Sequence, residues 1–277
     1  MIISIISVLK RKQYLKERGR VKIYEEISRA IVNKEQLWIV TITENTGSIP
    51  GKTGMKMLVN VMGEIKGTVG GGLLEHWIIE RIKVEKPCSA CVWNYELNEE
   101  FENQVGMICG GNVSFLVEPL IEGQRLYLFG GGHCAMALSE LASKCGFLVT
   151  VCDDRSEWAS KDKHPFAFET KVIDFKEVFS CIPADKNAYY IIMTHGHRND
   201  EVVLKQLIHE ELCFIGMLGS KQKVHITFNH LLEHGISQIQ LDKVTAPIGI
   251  PIGSHEPMEI AVSIVAQLIQ IRNQKQI

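Results

Sequence analysis

Cys109 stands directly before Gly110 and Gly111, in the run Met107-Ile108-Cys109-Gly110-Gly111. Flexible backbone on one side makes the thiol accessible, and neighbouring N–H groups favour its thiolate, so Cys109 is a candidate nucleophile. Gly70-Gly71-Gly72 opens an apolar helical run and brings Glu75 into its first turn. Uncapped N–H groups at such a start attract an anion. The plainer reading is a tight turn with positive φ, although one glycine would serve that need. Glu75 also suits the positive end of the helix dipole. His195 and His197, with Asp200, follow the apolar strand 188–193 and suit proton transfer or metal binding. Their plainer reading is a loop with an N-cap aspartate.

The most complete pattern is mid-chain. Leu126–Phe129 reads as a buried strand, and Gly130-Gly131-Gly132-His133-Cys134-Ala135 fits G-x-G-x-x-A. Gly130 allows the tight turn, Gly132 lets backbone approach a phosphate, and Ala135 lets the helix pack on the sheet. Asp153 lies 21 residues past Gly132, where an acid reads a ribose hydroxyl; Arg155 beside it suits a 2′-phosphate. Gly219-Ser220-Lys221 repeats the theme, with glycine, a serine suited to capping and a basic helix start.

These residues need elements to hold them. Helical spacing predicts a helix over 21–32, with Ile23, Ile27, Ala30 and Ile31 on one face. Strands are expected at 37–43, 57–61, 64–68, 91–97 and 113–120, and a helix at 73–84. This first part, 21–122, reads as an α+β domain with a mostly antiparallel sheet. Ile121–Gln124 is a short link. In 125–277, strands at 126–129, 147–152, 170–173, 188–193, 212–216 and 241–245 alternate with helices at 132–145, 175–182, 199–210, 220–234 and 257–272. That alternation predicts a Rossmann-like, doubly wound parallel sheet, so the chain is assigned to the α/β class.

A length of 277 residues accommodates two cores. The net charge of −2 gives no global attraction to nucleic acid or membrane, so an anionic ligand must be held locally. Met1–Leu9 is apolar and Lys10-Arg11-Lys12 follows it, the reverse of a secretory signal, and the segment is too short to span a bilayer. Residues 1–20 therefore read as an extension. With no export signal, the eight cysteines are expected as thiols in a reducing cytoplasm. Cys88-x-x-Cys91 lacks a second pair to complete four zinc ligands, and no metal site is assigned.

Together these motifs resemble the XdhC/CoxI family, the accessory factors of xanthine dehydrogenase and related molybdenum hydroxylases. The resemblance spans about residues 23–272. It rests on GS-x-P-x-x-x-G-x-K-M at 47–57, GTVGGGLLE at 67–75, MICGG at 107–111, FGGGHCA at 129–135, DDR at 153–155, TH-x-H at 194–197 and GMLGSK at 216–221. PIG at 247–249 and PMEIAVSI at 257–264 complete it. Where the family usually has arginine after Pro50, this chain has Gly51 and then Lys52.

The resemblance implies a cytoplasmic factor, expected as a homodimer, that binds molybdenum cofactor (molybdopterin). It would shelter the cofactor while a terminal sulfur is installed and deliver it to an apo-hydroxylase of purine catabolism. The implied partners are that xanthine dehydrogenase-type hydroxylase and a cysteine desulfurase, with no nucleic acid. By resemblance Cys109 contacts cofactor or molybdenum, aided by Gly110 and Gly111. Gly70, Gly71 and Gly72, and Gly130, Gly131, Gly132 and His133, hold phosphate or nucleotide, with Asp153, Arg155, Gly219, Ser220 and Lys221 as further contacts. His195 is the second candidate for chemistry. Two other functions stay open: an NAD(P)-dependent oxidoreductase using the Rossmann unit, and a metal-dependent hydrolase built on His195, His197 and Asp200.

Overall fold

The computed structural model describes residues 22–33, 35–47, 51–97, 111–182 and 184–274. The chain divides into two compact units, Met1–Glu122 and Gly123–Ile277.

In the first unit, helix α1 spans 22–33. Strands β1 (Leu37–Gly47), β2 (Lys56–Asn60) and β3 (Ile65–Gly67) follow, then helix α2 (Gly72–Glu85), β4 (Cys91–Leu97) and β5 (Gly111–Pro119). The sheet runs β3-β2-β1-β5-β4, with every pair antiparallel. Period-two alternation along β1 sets its two faces. Trp38, Val40 and Ile42 join Leu74, Ile78 and Ile82 of α2, while Leu37 and Ile39 pack with Ala30, Ile23 and Ile27 of α1. The three α2 residues lie at i, i+4 and i+8, one stripe of the helix, and each buried aliphatic side chain contributes about 1.5–3 kcal/mol. The hairpin between β2 and β3 is held by Asn60, whose Oδ1 accepts from Met62 N and Glu64 N, and Gly63 takes the positive φ of 84°.

The second unit alternates as expected. Its strands are β6 (Gln124–Phe129), β7 (Phe147–Asp153), β8 (Glu169–Val172), β9 (Tyr189–Ile192), β10 (Phe214–Met217) and β11 (Val244–Thr245). Its helices are α3 (His133–Lys144), α4 (Val178–Cys181), α5 (His197–Leu207), α6 (Lys221–Glu233), α7 (Gln238–Leu241) and α8 (Pro257–Gln274). The sheet order is β11-β10-β9-β6-β7-β8, and all pairs are parallel. Counted from β6, that is 3-2-1-4-5-6 read from the β8 edge, the Rossmann arrangement, with its switch point between β6 and β9. Leu126 and Leu128 face a core shared with α3 and α8, whereas Tyr127 and Phe129 face the core covered by α5 and α6. Strands buried on both faces explain their unbroken apolar runs.

Two elements differ from expectation. Leu241, expected to open a strand over 241–245, instead ends α7, because Ser237 and Gln240 make a reciprocal capping box; the strand is only Val244–Thr245. The helix expected at 175–182 splits into a 3-10 turn, Phe175–Glu177, and α4, since Asp174 caps Lys176 N and fixes a tighter first turn. Among the described residues, no helix is long and apolar enough to cross a membrane.

Candidate functional site

The loops at the carboxyl ends of β6, β7, β9 and β10 carry most of the expected site residues of the second unit. Each loop is fixed by the chain itself before any ligand arrives. Gly130 has a φ of 114°, donates its N–H to Cys152 O at 2.7 Å, and leaves no room for a Cβ against Met193 O. The β6 turn is therefore seated directly on the end of β9, and only glycine fits.

Gly131 is held from both sides of its residue. Its N–H donates to Asp153 Oδ2 at 2.7 Å, and its carbonyl faces His164 Nε2 at 3.1 Å. His164 is fully buried, and its Nδ1 lies 3.1 Å from Ser139 Oγ on α3. Burial pushes the His164 imidazole below its ordinary value, against the opposing pull of the Gly131 and Trp158 carbonyls.

Asp153, expected to read a ribose, is fully buried. Its Oδ1 accepts from Arg155 N and Nε, and its Oδ2 from Gly131 N and Arg155 Nη2. Burial raises its carboxyl, but these hydrogen bonds outweigh that and hold it below the usual carboxylate range. Both oxygens are thus committed inside the protein. The exposed carboxylate at this strand end belongs to Asp154, whose Oδ1 lies 3.5 Å from His195 Nδ1. Three of the five Arg155 N–H donors remain after the Asp153 pairing, and its guanidinium lies 5.2 Å from the Trp158 ring.

The helix starts differ in what they leave open. Gly132 caps α3 with φ −67° and ψ −173°, makes no side-chain cap, and would meet nothing within 4 Å if given a Cβ. No acid sits in that first turn, so its N–H groups keep their capacity for an anion. His133 is exposed there and makes an edge contact with Trp158 at 5.5 Å. Beside it opens a groove of about 550 Å³, lined in part by His133, Met136, Pro165, Phe166, Pro257 and Met258. That is within the size range of organic-ligand sites.

The start of α6 is capped by its own Ser220, which accepts from Lys223 N at 3.2 Å. Lys221 is exposed, and Gly219 packs on the Lys223 stem. The Lys223 ammonium pairs with buried Asp200, which also accepts from Thr194 N at 2.9 Å and Thr194 Oγ1 at 2.7 Å. Asp200 thereby ties the β9 loop to α6. That use removes it from the expected set of His195, His197 and Asp200. The metal-capable group found among the described residues is instead Asp153, Asp154 and His195.

In the first unit the glycine nest is occupied from within. Glu75 Oε1 accepts from Thr68 Oγ1 at 2.5 Å, Gly71 N at 3.0 Å and Val69 N at 3.2 Å. Gly70, Gly71 and Gly72 all take positive φ, which accounts for three glycines without a ligand. Gly51 is likewise required by packing, since a Cβ would strike Ile42 and the Val69 carbonyl. Gly111 starts β5 against Thr46 O, while Cys109 and Gly110 lie outside the described residues. Cys91 sits on β4 with its thiol pushed up by burial, unlike a zinc-bound thiolate.

Sequence reasoning missed His164, Ser139 and the pairing of Asp154 with His195. Only Asp154 had a signal, its place in the DDR run beside the expected acid.

Comparisons with known proteins agree with this architecture. Residues 126–268 match the XdhC Rossmann domain, and residues 30–84 match the XdhC and CoxI family. The chain is 29% identical over 237 residues to the uncharacterized protein YqeB of Escherichia coli (strain K12), covering 84% of this chain and 43% of that protein. It is 31% identical over 150 residues to a probable xanthine dehydrogenase subunit of Bacillus subtilis (strain 168), covering 53% of this chain and 43% of that one. The chain thus spans less than half the length of these two curated relatives. A crystal structure described as a xanthine dehydrogenase from Bacillus halodurans aligns with a TM-score of 0.50 and 24% identity, over 90% of this chain and 95% of that one, a likeness of fold. With the Rossmann match alone covering more than half of its length, the chain belongs to the XdhC and CoxI family.

Proposed function

We propose that the protein is an accessory factor that binds molybdenum cofactor and assists its sulfuration and insertion into a xanthine dehydrogenase-type hydroxylase. The observation that carries this reading is the uncapped, sterically open start of α3 at Gly132, in a chain of this family. Molybdopterin bears one phosphate, and a helix start with free N–H groups suits it. The adjacent groove, with Met136, Phe166 and Met258, suits a flat organic ring. When bound, the cofactor supplies the redox metal that the hydroxylase needs.

In this reading the chain's own residues bind and orient. Gly132 and His133 contact the phosphate, and Asp153 and His164 hold the loop in its receptive shape. Cys109 contributes the thiol that contacts cofactor or molybdenum. The partners are the apo-hydroxylase and a desulfurase as sulfur donor.

The test is the pterin and molybdenum content of the tagged protein purified from cells that make the cofactor. Wild type should carry both, and Cys109→Ser should carry markedly less molybdenum. Unchanged occupancy in that variant removes the role of Cys109.

The Rossmann strand order supports a second reading, an NAD(P)-dependent oxidoreductase. Both oxygens of Asp153 are already committed, so the ribose contact would fall to Asp154 or Arg155. Calorimetric titration with NAD⁺ and NADP⁺ tests it, and an absence of saturable binding sets it aside.

A further inference from the structure

Asp154 follows the end of β7 and His195 follows the end of β9, the two strands that flank β6. Their side chains converge across the end of the central strand. His195 Nδ1 and Asp154 Oδ1 are 3.5 Å apart, and with an oxygen of Asp153 they form a set whose donor atoms all lie within 4.8 Å. A direct hydrogen bond between such groups is normally about 2.7–3.2 Å, so the pair stands beyond that range. Two ligands on one tetrahedral metal ion, each bonded at about 2.0–2.2 Å, stand about 3.4 Å apart. The observed 3.5 Å therefore suits two ligands on one ion.

The surrounding contacts leave this pair available. Among the described residues, neither side chain has a hydrogen-bond partner. Arg155 spends its Nε and Nη2 on Asp153, and its Nε stands 3.8 Å from Asp154 Oδ1. The ring of Phe175 packs at 6.4 Å from the imidazole. Both groups are partly exposed, 36% for Asp154 and 43% for His195, so an ion can reach them from solvent.

We propose that Asp154 and His195 bind a divalent first-row cation of the Mn²⁺ or Zn²⁺ class. A mixed nitrogen and oxygen pair suits these ions better than Mg²⁺ or Ca²⁺, which favour all-oxygen sets. Asp153, held by Arg155 and Gly131, stands behind the pair as a fixed negative charge. Only two donors come from exposed side chains, so most coordination positions stay open. That is the pattern of a cation held jointly with a ligand's own oxygens, not of a closed structural zinc site. The site does not depend on the molybdopterin reading, because the probe is the metal alone.

The experiment is isothermal titration of the full-length, chelator-treated protein with MnCl₂ and with ZnCl₂. Wild type, Asp154→Asn, His195→Gln and the distant control Asp242→Asn are compared, and a thermal melt of each confirms folding. Wild type and control should bind one equivalent of at least one of the two metals. Asp154→Asn and His195→Gln should each weaken that binding about tenfold or more, in line with the loss of a metal contact. Mn²⁺ electron paramagnetic resonance should report the bound ion in wild type and its release in both variants. Absence of saturable binding in wild type, or binding that either substitution leaves unchanged, overturns the proposal. A result in either direction leaves pterin occupancy free to succeed or fail separately.

Discussion

Asp153 turns its carboxylate inward and accepts the Gly131 N–H at 2.7 Å, so the acid that ends β7 serves the glycine loop. The same carboxylate anchors Arg155 through two side-chain contacts. Asp153→Ala removes the acceptor that both share and leaves the buried Gly131 N–H unpaired, which costs about 1–3 kcal/mol. Chemical denaturation should show that loss, together with weaker phosphate binding at the neighbouring helix start. Full stability in Asp153→Ala contradicts the assigned role.

Gly132→Asp tests the cradle without disturbing its fold. The backbone there is compatible with any residue, and open space surrounds the missing Cβ. An aspartate at this N-cap accepts from the first-turn N–H groups, with a gain of only a few tenths of a kcal/mol over glycine. Thermal stability should be equal or slightly higher, while binding of phosphate-bearing ligands is lost. Retained binding in a folded Gly132→Asp protein places the phosphate elsewhere.

Gly130→Ala should behave in the opposite way. Its φ of 114° and its contact with the Met193 carbonyl both oppose a side chain. Destabilisation well above 1 kcal/mol is expected, by about the penalty for forcing alanine into positive φ plus the displaced backbone. A urea melt compares the two variants directly.

Glu75 fills the nest of the first unit as an anion would. Glu75→Ala strips an acceptor from Thr68, Val69 and Gly71, at a cost of about 0.5–2 kcal/mol. The vacated nest should then respond to added phosphate, which raises the melting temperature of the variant more than that of wild type. An identical response of both proteins shows that the nest has no anion affinity to reveal.

His164 gives a pH dependence with a definite sign. Burial lowers its folded value below the unfolded value near 6.5, so the unfolded chain binds more protons in that window. Its contribution is intact above about pH 6.5 and stability falls as pH drops below it. His164→Gln keeps a donor for Gly131 O without titrating. The loss of unfolding free energy between about pH 7.5 and pH 5.5 should be smaller in His164→Gln than in wild type. Equal losses show that His164 does not titrate on unfolding.

The parts of this molecule visible in its sequence were those encoded locally. Strand, glycines, helix and strand follow one another in 124–153, and period and turn chemistry suffice to read them. What a side chain does across the fold was not visible. Asp153 stood at the right position for a ribose contact, yet its partner is an N–H 22 residues earlier, brought close by parallel pairing of β6 and β7. His164 lies in a loop with no periodicity, and only folding sets it against Gly131 and Ser139. Glu75 was legible as a first-turn acid but not as the occupant of the nest. Leu241 was expected to open a strand over 241–245, and a Ser-x-x-Gln cap draws it into a helix instead.

The most direct measurement of the central proposal is activation of a purified apo xanthine dehydrogenase-type hydroxylase by molybdenum cofactor, with and without this protein. Wild type should raise the rate and final extent of activation, Gly132→Asp and Cys109→Ser should not, and Asp242→Asn should match wild type. Activation that proceeds equally well without the protein, or equally well with folded Gly132→Asp and Cys109→Ser, contradicts the account.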